Sequence, residues 1–254
     1  WKLDTRPVLG TPSTQEALTA IGDGKVLAMV CDSTNVFNLE TSGSEGSVKD
    51  DLLKSVKAAK VRVVVTTFAS NAARLQTLGE VARESGRTLC FAGRSLHRII
   101  EAAQANGYLK DMPKTIGMES VDSLPRRDVI VVATGGQGEA RAALARIAEG
   151  NHPVKLEAGD TVIFSSKQIP GNEIAIGIIM NKLAERNILT VTEKQAHVHV
   201  SGHPGQPELA ALYDWIRPEI LVPVHGERRH MAEQSRFARA HGVPKTVVQS
   251  NGDV

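Results

Sequence analysis

Cysteine, net charge and long apolar runs are all scarce in this chain, and each scarcity closes a class of explanation. Its two cysteines, Cys31 and Cys90, both lie within apolar runs and cannot staple a small secreted scaffold or build a cysteine-rich zinc module. They read as reduced, buried thiols, which points to the cytoplasm. Thirty Lys and Arg against 28 Asp and Glu leave a formal +2. No bulk field therefore compels binding to nucleic acid or an anionic membrane, although a polyanion can still be gripped locally. No uncharged run approaches the roughly 18 residues needed to cross a bilayer, and no basic segment precedes an apolar core at the start. The chain is expected to be neither membrane-bound nor exported. Fixed-period repeats and low-complexity tracts are missing too, which sets aside solenoids and linkers. The opening Trp1-Lys2-Leu3-Asp4 reads like the inside of a folded chain, as expected of a fragment.

What is present is an ordinary globular composition, 41% apolar and 23% charged with 22 Gly and 11 Pro. The length suits one large domain or two ordinary ones. From residue 25, short β-branched runs alternate with helix-length segments, the pattern of βα units around a mostly parallel sheet. Strands are expected at 26–31, 61–66, 88–91, 129–133, 161–164, 188–192, 198–200, 220–224 and 246–249, enough for two sheets. Helices are expected at 48–59, 71–84, 95–105, 139–149, 172–186, 207–216 and 228–241. Ser70 or Asn71 caps the second and Gly86 stops it. Pro170-Gly171 signals a turn before a helix whose Ile174, Ile178, Ile179 and Leu183 predict burial against a sheet.

Four of the eight histidines fall in two strings, HVHVSGH (197–203) and PVHGE (223–227). His197 and His199 share one face of a strand at period two and, with His203, offer three nitrogens to zinc. The competing reading is a pair of strand histidines satisfied by core hydrogen bonds. Ser201-Gly202-His203 sits where a strand end meets a helix, so backbone N–H groups and a hydroxyl can cradle a phosphate and the imidazole can act as general acid. A plain glycine turn would look the same. His225 leaves an apolar strand at the carboxyl edge of a sheet, where α/β ligand sites collect, and Gly226 permits close approach. Asp32 also ends a strand, where a carboxylate binds metal, orients a histidine or closes an Asx turn. ATGGQGE (133–139) and SSKQIPGNE (165–173) can each hold a phosphate at a helix N-terminus or serve as tight turns. Neither fits the dinucleotide or P-loop pattern.

Taken in order, CDSTN (31–35), TTFASN (66–71), AGRSL (92–96), ATGGQGE, FSSKQIPGNE (164–173), HVHVSGH and PVHGE resemble the ribonuclease J family, in the β-CASP group of metallo-β-lactamase-fold nucleases. The resemblance implies an α/β fold in which a parallel β-CASP sheet at 43–187 is inserted into a partial αββα sandwich supplied by 1–42 and 188–254. It implies a zinc-dependent ribonuclease, 5′–3′ exonuclease and/or endonuclease, active in RNA processing and decay, with two Zn2+ in the full-length protein, RNA as partner and a homo-oligomeric state. Asp32, His203 and His225 fall on motifs A, B and C of the family. His203 is then the general acid near the scissile phosphate, Asp32 orients it, and His225 is a zinc ligand. Ser201 and Gly202 contact backbone phosphate, and His199, Arg74, Arg94 and Lys167, together with Arg98, lie in or beside the RNA-binding loops. Each of these basic residues also has the reading of a solvated helix-face charge. The family's HxHxDH signature and its remaining zinc ligands are not in this sequence, and His225 alone cannot hold two zincs, so the isolated chain is expected to be inactive. Gly136 and Ala140 depart from the Ser or Thr and the Pro common in that loop, which argues against a hydroxyl contact there. Two other readings stay open. One is a non-catalytic RNA-binding or assembly fragment, which zinc stoichiometry would separate. The other is a nucleotide-binding α/β enzyme using ATGGQGE, which predicts mononucleotide binding insensitive to chelators.

Overall fold

Every strand pair among the described residues is parallel, so partners cannot be joined by tight turns and the chain must cross over between them. The computed structural model describes residues 1–169 and 171–253. In chain order the elements are α1 (Gln15–Asp23), β1 (Ala28–Asp32), α2 (Lys49–Ala58), β2 (Val63–Thr66), α3 (Ala72–Ser85), β3 (Thr88–Ala92), α4 (Arg94–Ala105) and β4 (Thr115–Ile116). They continue with β5 (Val129–Ala133), α5 (Ala143–Ala148), β6 (Thr161–Phe164), α6 (Glu173–Glu185), β7 (Leu189–Val191), α7 (Gln206–Ile216), β8 (Ile220–Val224), α8 (Arg228–Ala240) and β9 (Lys245–Thr246).

The chain divides into two units. The smaller comprises Trp1–Arg6, Thr11–Ser44 and Ser201–Val254. Its sheet has the order β1-β8-β9, over a core that includes Cys31, Val36, Leu209, Tyr213 and Leu221. The pairing of β1 with β8 joins the two segments flanking the longer stretch.

The larger unit, Pro7–Gly10 with Glu45–Val200, holds a six-stranded sheet of order β4-β3-β5-β2-β6-β7. Strands β2, β5 and β6 are buried along their whole length, because helices cover both faces. Alternate residues serve alternate faces. Val63, Val65 and Ile130 pack with Leu52, Leu75 and Leu96 from α2, α3 and α4. Val64, Val131 and Val162 pack with Leu144, Ile147, Ile176 and Leu183 from α5 and α6. Helix α3 is bounded as read from sequence: the Asn71 side chain accepts the Arg74 N–H, and Gly86 ends it in the left-handed conformation.

Several expectations fail for identifiable reasons. Residues 198–200 are not a strand. Val198 and Val200 are buried, but the Val198 carbonyl accepts from Arg74 Nη1 (3.0 Å) and the Ser165 hydroxyl (2.7 Å) rather than from a ladder partner. The strand-face argument for His197 and His199 goes with it. Strand β7 pairs with β6, so residues 188–200 lie with the larger unit. Helix α5 begins at Ala143 rather than 139, after a loop in which Gly135 and Gly138 take positive φ. On α6 the buried stripe is Ile176, Ile179 and Leu183, while Ile174 is 80% exposed and Ile178 half-exposed. Pro170, in the turn read before that helix, lies outside the described residues. Helix α1, capped by the Thr14 side chain, and the two-residue β4 had no expectation.

Arg74 is neither an RNA ligand nor a solvated charge. It is fully buried. Its Nε and Nη2 donate to the Glu45 carboxylate (2.7 and 3.1 Å), and its Nη1 donates to the Ser165 hydroxyl and to the carbonyls of Ser165 and Val198. A guanidinium committed in this way ties three remote segments together and has no face left for a ligand. Among the described residues no helix is long and apolar enough to cross a membrane.

Two measurements follow. Arg74→Ala removes the paired donors to the buried Glu45 carboxylate and leaves the Val198 and Ser165 carbonyls without theirs, and is expected to cost about 3–5 kcal/mol, read as a lower urea midpoint; an unchanged midpoint contradicts the assignment. Both cysteines are free and buried, and burial pushes each thiol up to about 11. At pH 8 they stay protonated, so a disulfide reagent should leave them unmodified in the native protein and label both in urea.

Candidate functional site

The parallel register sets Asp32 opposite Val224, so the residue leaving β8, His225, emerges beside the end of β1. Ser33 extends the ladder by one step, its N–H and hydroxyl both donating to the Val224 carbonyl (2.9 and 2.8 Å). His225 itself is left-handed, φ +57°, an uncommon state for a residue with a Cβ. The next position tolerates no side chain at all, because a Cβ on Gly226 would lie 2.3 Å from the Ser33 hydroxyl and 2.9 Å from the His230 Cβ.

Thr34 fixes the His225 ring. Its hydroxyl oxygen is 2.7 Å from His225 Nδ1 and 2.5 Å from the His225 carbonyl oxygen. The carbonyl can only accept, so the hydroxyl proton goes there and Nδ1–H donates to the hydroxyl oxygen. That leaves Nε2 with a free lone pair.

His203 lies in the loop entering α7 and is held at its backbone. Its N–H donates to the Ser201 hydroxyl oxygen (3.1 Å), and its carbonyl accepts from Asn35 Nδ2 (3.2 Å) and from the Ser42 hydroxyl. Its ring Nδ1 donates to Asp32 Oδ2 at 2.6 Å, which turns Nε2 outward. The ring stacks on His225 with centroids 5.2 Å apart and planes 24° from parallel. Asp32 Oδ1 meanwhile accepts the Thr34 N–H (2.8 Å) and lies 3.8 Å from His225 Nδ1. The Asx turn and the histidine-orienting roles, alternatives in the sequence, coexist on one carboxylate. Burial pushes this carboxyl up, but the hydrogen bonds from His203 and Thr34, with the charge on His203, outweigh it and hold it below the ordinary value. The three side chains grade outward from Asp32 (13% exposed) through His203 (36%) to His225 (67%).

One structural support was missed in the sequence. The buried carboxylate of Glu208 accepts the N–H groups of Leu3, Ser42 and Gly205 (3.2, 2.9 and 2.8 Å). Gly205 is required there, since a Cβ would meet the Glu40 carbonyl at 1.9 Å. A Glu three residues after the helix-capping position was its only signal.

The other candidates are placed as follows. Ser201 is half-buried and Gly202 exposed, with open space where a Gly202 side chain would be. His197 and His199 belong to the larger unit. His197 Nε2 meets the Ser47 hydroxyl at 2.8 Å, and His199 is half-buried, so the set His197, His199 and His203 is not assembled within one unit. Arg94, at the start of α4, and Lys167, after β6, are exposed in the larger unit.

Among the described residues, Asp32, His203 and His225 form the group whose ligating atoms converge, all within 4.8 Å of one another. His203 Nδ1 and Asp32 Oδ2 are committed to each other, whereas the free Nε2 of His225 is the kind of atom that binds zinc, so the group supplies one ligand of a zinc site. The residues fit the metal.

Residues 60–183 match the family described as "Ribonuclease J, beta-CASP domain", and residues 190–248 match the "Zn-dependent metallo-hydrolase RNA specificity domain". The whole chain is 41% identical to a ribonuclease J of Sinorhizobium meliloti, covering 45% of that protein. It is 40% identical to one of Corynebacterium glutamicum, covering 36%, and 38% identical to ribonuclease J 1 of Streptococcus pyogenes, covering 46%. The chain thus spans less than half the length of these curated relatives. A crystal structure titled as a protein of unknown function from Enterococcus faecalis V583 shares the fold, with a TM-score of 0.58 at 12% identity over 94% of this chain and 54% of that one. Two adjoining domain matches in the order found here, with identity sustained from end to end, mean that the chain belongs to the ribonuclease J family of β-CASP nucleases.

Proposed function

We propose that this chain supplies the proton-transfer groups and a metal ligand for a zinc-dependent ribonuclease acting in RNA processing and decay. The observation that carries the reading is the convergence of Asp32, His203 and His225 at the end of one strand pair. Its setting is a cytoplasmic protein that associates with itself, as the buried thiols and the family resemblance respectively suggest.

Zinc supplies Lewis acidity toward phosphate oxygens and lowers the pKa of water. When it is bound, His225 would hold it through Nε2, with Nδ1–H anchored on the Thr34 hydroxyl so that the ring does not rotate. His203 is the general acid. Asp32 holds its Nδ1–H, so a proton carried on Nε2 can pass to the 3′-oxygen as the P–O bond breaks, and the carboxylate compensates the charge of the doubly protonated ring. Ser201 and Gly202, beside that ring, offer a hydroxyl and backbone N–H to a phosphate oxygen. Discrimination of RNA from DNA falls to contacts with the 2′-hydroxyl.

Two outcomes are expected. His203→Ala, in protein of the relatives' full length, should slow single-turnover RNA cleavage by about 10²–10⁴-fold while RNA affinity stays within about threefold; parallel loss of both removes the acid assignment. His225→Ala should lower bound zinc by elemental analysis after dialysis, and unaltered zinc content rejects the ligand role.

A further inference from the structure

A cavity of about 660 Å³ opens in the larger unit between the loops that follow β3 and β5. The two strands are neighbours, and the chain leaves them toward opposite faces of the sheet. Helix α4 buries Leu96 on the Leu75 and Leu89 side, whereas α5 buries Leu144 and Ile147 on the Val131 and Val162 side. A crevice outside the carboxyl ends of parallel strands whose connections diverge is where such sheets take ligands. The volume lies within the roughly 300–1,000 Å³ of ligand pockets.

The lining states the ligand's charge. Arg94, Arg98, Arg141 and Arg146 all border the cavity, against one carboxylate, Glu139, which already accepts the Gln137 N–H at 3.0 Å. Arg94, Arg98 and Arg141 make no side-chain hydrogen bond or ion pair among the described residues. Arg146 is engaged only through Nη2, to the Asn151 carbonyl at 3.2 Å. Buried arginines in the same unit behave otherwise: Arg62 and Arg74 are fully enclosed and bonded to carboxylates and carbonyls. Four guanidiniums in one groove repel one another unless an anion joins them.

A second observation comes from His152, which lines the same cavity and is 5% exposed. Its Nδ1 accepts the Val154 N–H at 3.1 Å, so the ring proton sits on Nε2, which has no partner among the described residues. Burial, with the charges of Arg146 and Lys155, holds the ring below its ordinary range; it is a neutral donor near pH 7. Helix α4 adds its first turn, since Gly93 at its N-cap offers no side-chain acceptor to the free N–H groups.

We propose that this groove binds phosphate groups of nucleotides, with Arg94 and Arg98, one turn apart on α4, gripping phosphate oxygens in paired hydrogen bonds and His152 Nε2–H donating beside them. It rests on the proposed function only for the choice of nucleotides among phosphate-bearing ligands, because none of these residues takes part in the Asp32, His203 and His225 centre.

The test uses the full chain in EDTA, with a 3′-labelled decauridylate followed by fluorescence anisotropy and AMP followed by calorimetry. Arg94→Gln/Arg98→Gln is expected to weaken decamer binding at least tenfold and to flatten the plot of log affinity against log salt by about 1.4, roughly 0.7 per lost contact. Arg236→Gln, on a residue paired with Glu233, should change neither. Arg94→Lys/Arg98→Lys, which keeps the charge, should retain the salt slope. AMP binding that also depends on Arg94 and Arg98 assigns the groove to a mononucleotide, and decamer binding without AMP binding assigns it to the RNA chain. Affinity and slope unaltered by the glutamine pair, in protein whose thermal melt is unaltered, overturn the proposal. Zinc content must be the same in all these variants, so the metal-centre reading is decided separately.

Discussion

The parallel ladder between β1 and β8 is the constraint on which the candidate centre depends. Parallel neighbours cannot be closed by a hairpin, and here the chain travels from Asp32 to Ile220 before the second strand begins. Everything between, including the six-stranded sheet, is in covalent terms the connection. The ladder places Asp32 level with Val224, Ser33 adds two hydrogen bonds to the same carbonyl, and His225 then turns out of the strand. A slip of one residue would send Asp32 to the opposite face of the sheet, and His203 would lose its carboxylate. The left-handed His225 and the cramped Gly226 are the local cost of ending a strand so abruptly at this point.

Arginine does two opposite jobs in the larger unit, and desolvation decides which. Withdrawing a guanidinium from water costs several kcal/mol, an amount offset only when its donors all find acceptors. Arg74 meets that condition through Glu45, Ser165 and Val198, and Arg62 approaches it through Lys155, Val121 and Asp122. Such residues hold remote segments in place and are closed to ligands. Arg94, Arg98 and Arg141 remain solvated, so they carry no desolvation cost until an anion arrives.

How far the sequence could be read depended on whether the signal was local. Runs such as Val129–Ala133 announce a strand buried on both faces, and Asn71 and Gly86 mark the ends of α3 by their own conformational preferences. Asp32 and His225 were legible because each ends an apolar run, and strand ends are where side chains meet a ligand. The misreadings share a different cause. Val198 and Val200 alternate like a strand, yet two side chains take the Val198 carbonyl instead of a neighbour strand. Arg74 lay beside a family-like stretch, but its partner Glu45 is fixed only by tertiary packing. The groove was invisible for the same reason: Arg94 and Arg98 on α4 and Arg141 and Arg146 before and on α5 meet only because the strand order β3-β5 brings the two connections together.

The two histidines beside Asp32 are chemically distinguishable, and the difference supports the proposed division of labour. His203 aims Nδ1–H at a carboxylate oxygen 2.6 Å away. His225 aims its own at a hydroxyl, with the carboxylate 3.8 Å off. The carboxylate holds the His203 ring through Nδ1–H and keeps it oriented when the outer nitrogen gives its proton up. A threonine hydroxyl orients the His225 ring equally well and leaves its outer nitrogen to a metal. Exchanging Thr34 for a carboxylate would erase that asymmetry, whereas exchanging Asp32 for asparagine would remove the charge that suits His203 to carry a proton. The centre therefore needs one carboxylate and one hydroxyl at the end of β1, and the sequence Asp32-Ser33-Thr34 supplies them two residues apart.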